Sequence, residues 1–312
     1  MVEGKDQGGE REKIMVEKRK AELIMILSLT VIALAVMTTS TAALKYNIDG
    51  DPSDWGIDIL TGNWSLNDTW VPNDGVEFIV EDNTDPQWSD TYYGVHIKGV
   101  GSSYTRYYED KVHLKDGTPA PEPVGGEIWD LEAKYLDEDD TYIYVLLVTS
   151  VPSYRTGDLA LDLDGDSSTG EYGYEYGVTL GTWTGISQWD IYYSPDWEEP
   201  ETVPENAPSF FQTGGYKTGN ATGNYSNIGV SDNGYDNYVI EMAIPKDAVG
   251  MAGKNLTDPP TKRIHIADTC GNDHIDNPIP EFLTIVIPVL AILGLIYVHR
   301  RKWRGKGREN KG

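Results

Sequence analysis

Apolar and polar residues alternate along much of the chain, with the two-residue period of half-buried β-strands. In "GVEFIVE" (75–81), for example, Val76, Phe78 and Val80 share one face. Nine strand candidates occur, at 75–81, 92–100, 128–136, 141–150, 158–164, 174–181, 187–194, 237–244 and 262–268; the candidate at 141–150 is mostly apolar and aromatic and does not alternate. Glycine, aspartate, asparagine and proline separate these segments, and none keeps a helical period. The pattern predicts an all-β fold, an antiparallel, jelly-roll-like β-sandwich.

The N-terminal region combines a basic segment, an apolar run and an exit of small residues. "EKRK" (17–20) precedes "AELIMILSLTVIALAVM" (21–37), and "TTSTAAL" follows. This order is typical of a secretory signal peptide. The apolar run is also long enough to approach a bilayer span. We therefore expect a signal helix or a retained N-terminal anchor over residues 1–43, with translation starting at Met1 or Met15.

The C-terminal region, residues 280–312, carries a second apolar run. Residues 282–298 are largely apolar, and a cluster of arginine and lysine follows them. This pattern predicts a transmembrane helix with a cytoplasmic basic tail. Pro280-Glu281-Phe282, followed by a span and a basic tail, resembles the PEF-CTERM sorting signals of archaeal surface proteins. The resemblance implies that an archaeosortase removes the tail and transfers the protein to another anchor. A plain C-terminal membrane anchor is the alternative.

The segment between the two apolar runs, residues 44–279, is strongly acidic. It has 42 aspartates and glutamates against 12 lysines and arginines, a net charge near −30. Such a surface repels nucleic acid and attracts divalent cations. Because both basic ends belong on the cytoplasmic side, we expect this segment to form an extracellular domain exposed at the cell surface.

Post-translational features agree with an exported domain. Five Asn-x-Ser/Thr sequons occur in residues 44–279 among turn-forming residues, which is typical of glycosylated loops. The predicted glycosylation sites are Asn63, Asn67, Asn220, Asn224 and Asn255. The single cysteine, Cys270, excludes an internal disulfide framework.

An acidic loop, "LALDLDGDSSTGEYGYEYGV" (159–178), is the main candidate for a metal site. Three aspartates alternate, and a hydroxyl and a further carboxylate follow them; the candidate ligands are Asp162, Asp164, Asp166, Thr169 and Glu171. Calcium prefers 6–8 hard oxygen ligands in flexible geometry, which this composition supplies. The spacing is not that of an EF-hand, because neither the glycine nor the glutamate of that loop is in place. A solvated Asp-Gly turn is the alternative.

An aromatic run, "WTGISQWDIYYSPDW" (183–197), follows the acidic loop. Strand alternation through 187–193 puts Trp189 on one face and Tyr192 on the other. If Trp189 faces the core, the opposite face combines an aromatic ring with polar groups, as a sugar site requires. The candidate sugar-binding residues are Gln188, Asp190 and Tyr192, flanked by Trp183 and Trp197 from adjoining loops. Core packing of the tryptophans is the alternative.

Five motifs together carry a resemblance across most of residues 46–275. They are "YNIDGDPSDWG" (46–56), "DDTYIYVLLVTS" (139–150), the acidic loop, "YVIEMAIPKDAVG" (238–250) and "IADTCGNDHI" (266–275). This set resembles the type 9 DOMON-like domains, which are related to family 9 carbohydrate-binding modules. The resemblance implies a ligand-binding β-sandwich, often with bound calcium, and it favours calcium at the acidic loop. Ala267-Asp268-Thr269 stands where these domains often have a tryptophan-containing run, which weakens any transfer of ligand specificity.

No catalytic motif is present: the sequence contains no GxSxG, HExxH, Walker or dinucleotide fingerprint. Two function classes remain. The first is a cell-surface-anchored glycoprotein whose calcium-stabilised sandwich binds carbohydrate or another envelope ligand without catalysis. The second is a structural envelope glycoprotein, associated with the surface layer, without a small-ligand site.

Overall fold

A computed structural model of the chain describes residues 15, 17–20, 43–59, 68–82, 95–106, 112–120, 122–182, 184–232, 235–257 and 262–278. The chain divides into two units, residues 1–43 and 44–312. In the first unit, Met15 and residues 17–20 are helical and exposed. Within the described residues, no helix has the length and apolar character needed to cross a bilayer. The predicted apolar helices at both ends lie outside the described residues.

The second unit is built of β-strands. The described strands are β1 (Glu77–Asp82), β2 (Val95–Val100), β3 (Ser103–Arg106), β4 (Val112–His113), β5 (Pro119–Ala120), β6 (Leu131–Glu138), β7 (Tyr142–Thr149), β8 (Leu159–Asp162), β9 (Tyr176–Val178), β10 (Asp190–Glu198), β11 (Phe210–Asn220), β12 (Thr222–Asp232), β13 (Tyr235–Pro245), β14 (Arg263–Ala267) and β15 (His274–Pro278). Four short 3₁₀ helices accompany them, at Pro52–Trp55, Asp68–Trp70, Glu127–Trp129 and Pro204–Asn206.

The strands form two large antiparallel sheets. The seven-stranded sheet has the order β12-β13-β7-β6-β1-β2-β3, and the six-stranded sheet has the order β11-β10-β9-β8-β14-β15. Every one of the nine predicted segments contains a strand, so the prediction of an antiparallel all-β fold is confirmed. The connections differ from a jelly roll. Most consecutive described strands are neighbours in one sheet, and few alternate between sheets.

The main hydrophobic core lies between the two large sheets. It combines Val145 and Leu147 of β7 with Leu161 of β8 and Ile264 of β14. The opposite face of the seven-stranded sheet is also covered, because the segment before β1 packs Trp55 and other side chains onto it. β7 is therefore buried on both faces, which explains why its residues 142–148 are all apolar or aromatic.

The outer face of the six-stranded sheet carries a smaller buried cluster. Tyr174, Trp197 and Phe211 pack there with Ala160 of β8. The residue two positions after Ala160 is Asp162, which therefore lies on this same outer face. The candidate metal loop begins at that point, at the end of β8.

Candidate functional site

Three carboxylates converge in the acidic loop. One oxygen each of Asp162, Asp164 and Glu175 lies within 4.8 Å of the others. Asp162 and Glu175 are buried, whereas Asp164 is exposed. The arrangement can present hard oxygen ligands to a cation from the solvent side of the loop.

Hydrogen bonds within the loop hold these carboxylates in place. The backbone N–H of Gly165 donates to Asp162 Oδ1 at 2.8 Å, and that of Leu163 donates to Glu175 Oε2 at 3.0 Å. Gly165 has φ 72°, in the left-handed region that favours glycine, so the chain reverses directly after Asp164. The loop thereby brings Glu175, eleven residues after Asp164, back to the end of β8.

Thr169 links two of the three carboxylates. Its hydroxyl lies 3.0 Å from Asp164 Oδ2 and 2.7 Å from Glu175 Oε1. Burial raises the pKa of Glu175, although the hydrogen bonds from Thr169 and Leu163 oppose that effect. A bound cation would favour the charged form of Glu175.

One basic side chain contacts the cluster. Arg263 Nε lies 3.0 Å from Asp162 Oδ2, on the neighbouring strand β14. This pair neutralises part of the negative charge of the loop. Asp164 and Glu175 therefore supply most of the charge that a cation would meet.

Two of the predicted metal ligands have other partners. Asp166 is exposed and accepts hydrogen bonds from the backbone N–H (3.0 Å) and hydroxyl (2.6 Å) of Ser168. Glu171 Oε2 accepts a hydrogen bond from the backbone N–H of Trp197 at 2.7 Å. Glu175, which the sequence interpretation omitted, takes their place in the cluster. The only sequence signal for it is an acidic residue directly before β9.

The predicted sugar-binding face is not open in the structure. Trp197 is only 4% exposed and packs edge-on against Phe211, with ring centroids 5.0 Å apart. It lies within β10, not in an adjoining loop, because the strand continues through Ser194 (φ 52°) to Glu198. The expectation of an exposed Trp197 is therefore wrong. Trp183 lies outside the described residues.

The polar side chains of that face already have ion-pair, hydrogen-bond or packing partners within the protein. Asp190 Oδ1 pairs with Lys217 Nζ at 2.7 Å, and the Asn220 side-chain amide donates to the same oxygen. Gln188 Nε2 donates to the Leu180 carbonyl at 2.7 Å. Tyr192 is half-buried and packs against the outer cluster of the six-stranded sheet. These contacts are structural, so the face has few free groups for a sugar.

Three tyrosines form a row on the other face of the same strands. Tyr193 of β10 pairs directly with Tyr176 of β9 and with Tyr216 of β11. Their ring centroids are 5.1 Å and 5.3 Å apart. Directly opposed residues project to the same side of a sheet. The row begins at Tyr176, which is half-buried against the main core, and ends at Tyr216, which is 61% exposed.

The sequons have different surroundings. Asn255 is exposed and lies in the connection between β13 and β14, outside regular secondary structure, as predicted. Asn220 and Asn224 lie in β11 and β12. The expectation of loops is wrong for these two residues, because the sequence around them forms an eleven-residue strand on each side of Ala221. Asn63 and Asn67 lie outside the described residues.

Comparison with known proteins identifies the C-terminal signal. Residues 279–302 match the PEF-CTERM archaeal protein sorting domain. This match contains Pro280, Glu281 and Phe282 and supports a secreted archaeal protein that is anchored at the cell surface after processing by an archaeosortase. No curated protein and no solved structure matches the chain.

Proposed function

We propose that this secreted surface protein is a non-catalytic binding protein that presents a β-sandwich to saccharide chains of the cell envelope. The observation that carries the proposal is the tyrosine row, Tyr176–Tyr193–Tyr216. Tyrosine combines an apolar ring, which packs against the apolar face of a sugar, with a hydroxyl that hydrogen-bonds to it. Tyr193 and Tyr216 lie 5.3 Å apart with their ring planes tilted by 47°, and Tyr216 is 61% exposed, so these two rings form the accessible part of the row.

The resemblance to DOMON-like and family 9 carbohydrate-binding domains remains part of the proposal. An antiparallel two-sheet fold supports that resemblance at the level of architecture. The proposed ligand surface differs from the expected one, since the tyrosine row replaces the face of Gln188, Asp190 and Tyr192. Before processing, the C-terminal helix would hold the protein in the membrane with its basic tail in the cytoplasm.

Calcium is the second part of the proposal. Asp162, Asp164 and Glu175, with Thr169 beside them, would bind one calcium ion and fix the loop between β8 and β9. The supporting observation is the convergence of three carboxylate oxygens within 4.8 Å. Like-charged groups so close together repel one another unless a cation or a proton intervenes. The ion would stabilise the domain and would take no part in chemistry.

Saccharide binding is tested with the purified protein on a glycan array, followed by titration with each oligosaccharide that binds. Tyr193→Ala and Tyr216→Ala should each weaken binding at least about tenfold, as expected for a central aromatic contact. Tyr154→Ala is the matched control, because Tyr154 is 56% exposed against 61% for Tyr216. Binding that is equal in all three variants, or absent in the wild type, would refute the proposal.

A structural envelope glycoprotein is the second candidate. The burial of Trp197 and the pairing of Asp190 with Lys217 favour it, because they remove the sugar face expected from the sequence. In that case the sandwich serves as a spacer or lattice contact, and the glycan array gives no ligand.

A further inference from the structure

A second cluster of metal-ligating groups lies away from the acidic loop, where β14 turns into β15. One ligand atom each of Glu122, Asp273 and His274 lies within 4.8 Å of the others. His274 Nδ1 is 3.0 Å from Glu122 Oε1. Glu122 and Asp273 are buried, and the side chain of His274 is 23% exposed. One nitrogen and two carboxylates thus face one another at the end of the six-stranded sheet.

Two buried oxygens beside this cluster have no hydrogen-bond partner among the described residues. They are Asp268 Oδ2 and Asn272 Oδ1. Asp268 is 0% exposed and Asn272 is 7% exposed. A buried polar atom without a partner is unfavourable, and more so when it is charged. The fold therefore keeps two oxygens here that a further group is expected to satisfy.

Backbone contacts place the turn that carries these residues beside the cluster. The Asp268 N–H donates to the Asp273 carbonyl at 3.1 Å, and the Val124 N–H donates to the Asn272 carbonyl at 2.8 Å. Asp268 Oδ1 accepts hydrogen bonds from the backbone of Cys270 and Asn272.

We propose that Glu122, Asp273 and His274 bind a divalent transition-metal ion. Imidazole together with carboxylate selects zinc-like ions, whereas calcium prefers oxygen ligands alone. For bonds of about 2.1 Å, ligand atoms on one ion are separated by up to about 4 Å. His274 Nδ1 and Glu122 Oε1 lie within that limit at 3.0 Å, and all three ligand atoms lie within 4.8 Å of one another. The ion would replace the contact between His274 and Glu122. The partly exposed His274 ring provides the route of entry.

The proposal is tested with untagged, purified protein that has been stripped of metal with EDTA. Titration with Zn²⁺ in moderate salt, which screens weak binding to the acidic surface, should show one stoichiometric site. His274→Gln should weaken that site at least about tenfold. His113→Gln is the matched control, because His113 is exposed and also lies beside a glutamate, 3.4 Å from Glu205 Oε1. It should leave Zn²⁺ binding unchanged.

Two further variants complete the test. Glu122→Gln should also weaken Zn²⁺ binding, and it tests the site if His274→Gln does not fold. Asp164→Asn should leave the zinc site intact, which separates it from the acidic loop. The absence of a stoichiometric Zn²⁺ site in the wild type overturns the proposal, and so does unchanged affinity in a folded His274 or Glu122 variant.

Discussion

Trp55 donates its indole N–H to Glu241 Oε1 at 3.0 Å, although 186 residues separate them in the chain. The other oxygen of Glu241 accepts backbone N–H groups of Asp49 and Gly50, at 3.0 Å and 2.5 Å. One buried carboxylate in β13 therefore anchors the segment that covers the outer face of the seven-stranded sheet. Its environment also makes stability dependent on pH.

Stability should fall as the pH rises from about 5 to 8. Burial raises the pKa of Glu241 to about 7, although its hydrogen bonds lower the pKa. Burial also raises the pKa of Asp158 to about 7. The folded state then binds protons that the unfolded state releases near pH 4–5, so the stabilisation is present at low pH and lost as pH passes 7. Each group contributes on the order of 2 kcal/mol. Urea unfolding at several pH values measures this dependence.

Glu241→Gln tests whether Glu241 contributes to the decrease in stability between pH 5 and 8. The variant should be less stable at pH 5, because one acceptor for a buried N–H is lost, and its stability should change less between pH 5 and 8. Glu198→Gln, at an exposed position, is the control and should keep the wild-type slope. Equal slopes in wild type and Glu241→Gln would contradict the assignment.

Trp197→Ala should destabilise the domain by about 3–5 kcal/mol, because it empties a buried site against Phe211. Tyr216→Ala should change stability by less than about 0.5 kcal/mol, since Tyr216 is mostly exposed. Chemical denaturation of both variants measures the difference. If Trp197→Ala instead unfolds like the wild type and loses glycan binding, the sugar face predicted from the sequence is restored.

Calcium should stabilise the domain through the acidic loop. At about 100 times its dissociation constant, an ion that binds only the native state adds about 2.7 kcal/mol. Asp164→Asn should remove most of that gain. Asp166→Asn makes the same charge change at an exposed position of the same loop, outside the carboxylate cluster, and should keep the gain. A wild-type melting curve that EDTA leaves unchanged would show that the loop is an ordinary turn.

Processing at both ends is expected from the sorting signal and the N-terminal apolar run. Mass spectrometry of the protein from its native cells should find a mature N-terminus near Leu44 and no residues beyond about Pro280. Mutation of Pro280, Glu281 and Phe282 to alanine should retain the C-terminal tail. A native protein with both ends intact would refute cleavage and leave a plain membrane anchor.

The local pattern of residues in the sequence was enough to predict the core strands, and it was also enough to predict the sorting signal. The period of two residues locates β1, because one face of a half-buried strand is apolar. Nearly continuous apolar and aromatic runs locate β7 and β13, which are buried on both faces. The C-terminal signal is a linear motif that an enzyme reads from the chain, so it depends on residue order and needs no fold.

Only the tertiary structure decided which polar side chains are buried. Lys134 looks like a solvent-facing residue of a weak strand, yet it is fully buried and donates to the Ile275 carbonyl at 3.0 Å. β11 and β12 are rich in glycine, threonine and asparagine, so their pairing with β10 and β13 defines them more than their own composition does.

The candidate sites, too, were predicted only in part from the sequence and depend on the tertiary structure for the rest. The sequence indicated the acidic loop through Asp162 and Asp164, since alternating aspartates are visible in the chain. Glu175 joins them because β8 and β9 are paired and the intervening loop folds back. The tyrosine row and the cluster around His274 depend on strand register and on chain reversals. Such contacts join residues far apart in sequence, and no local period records them.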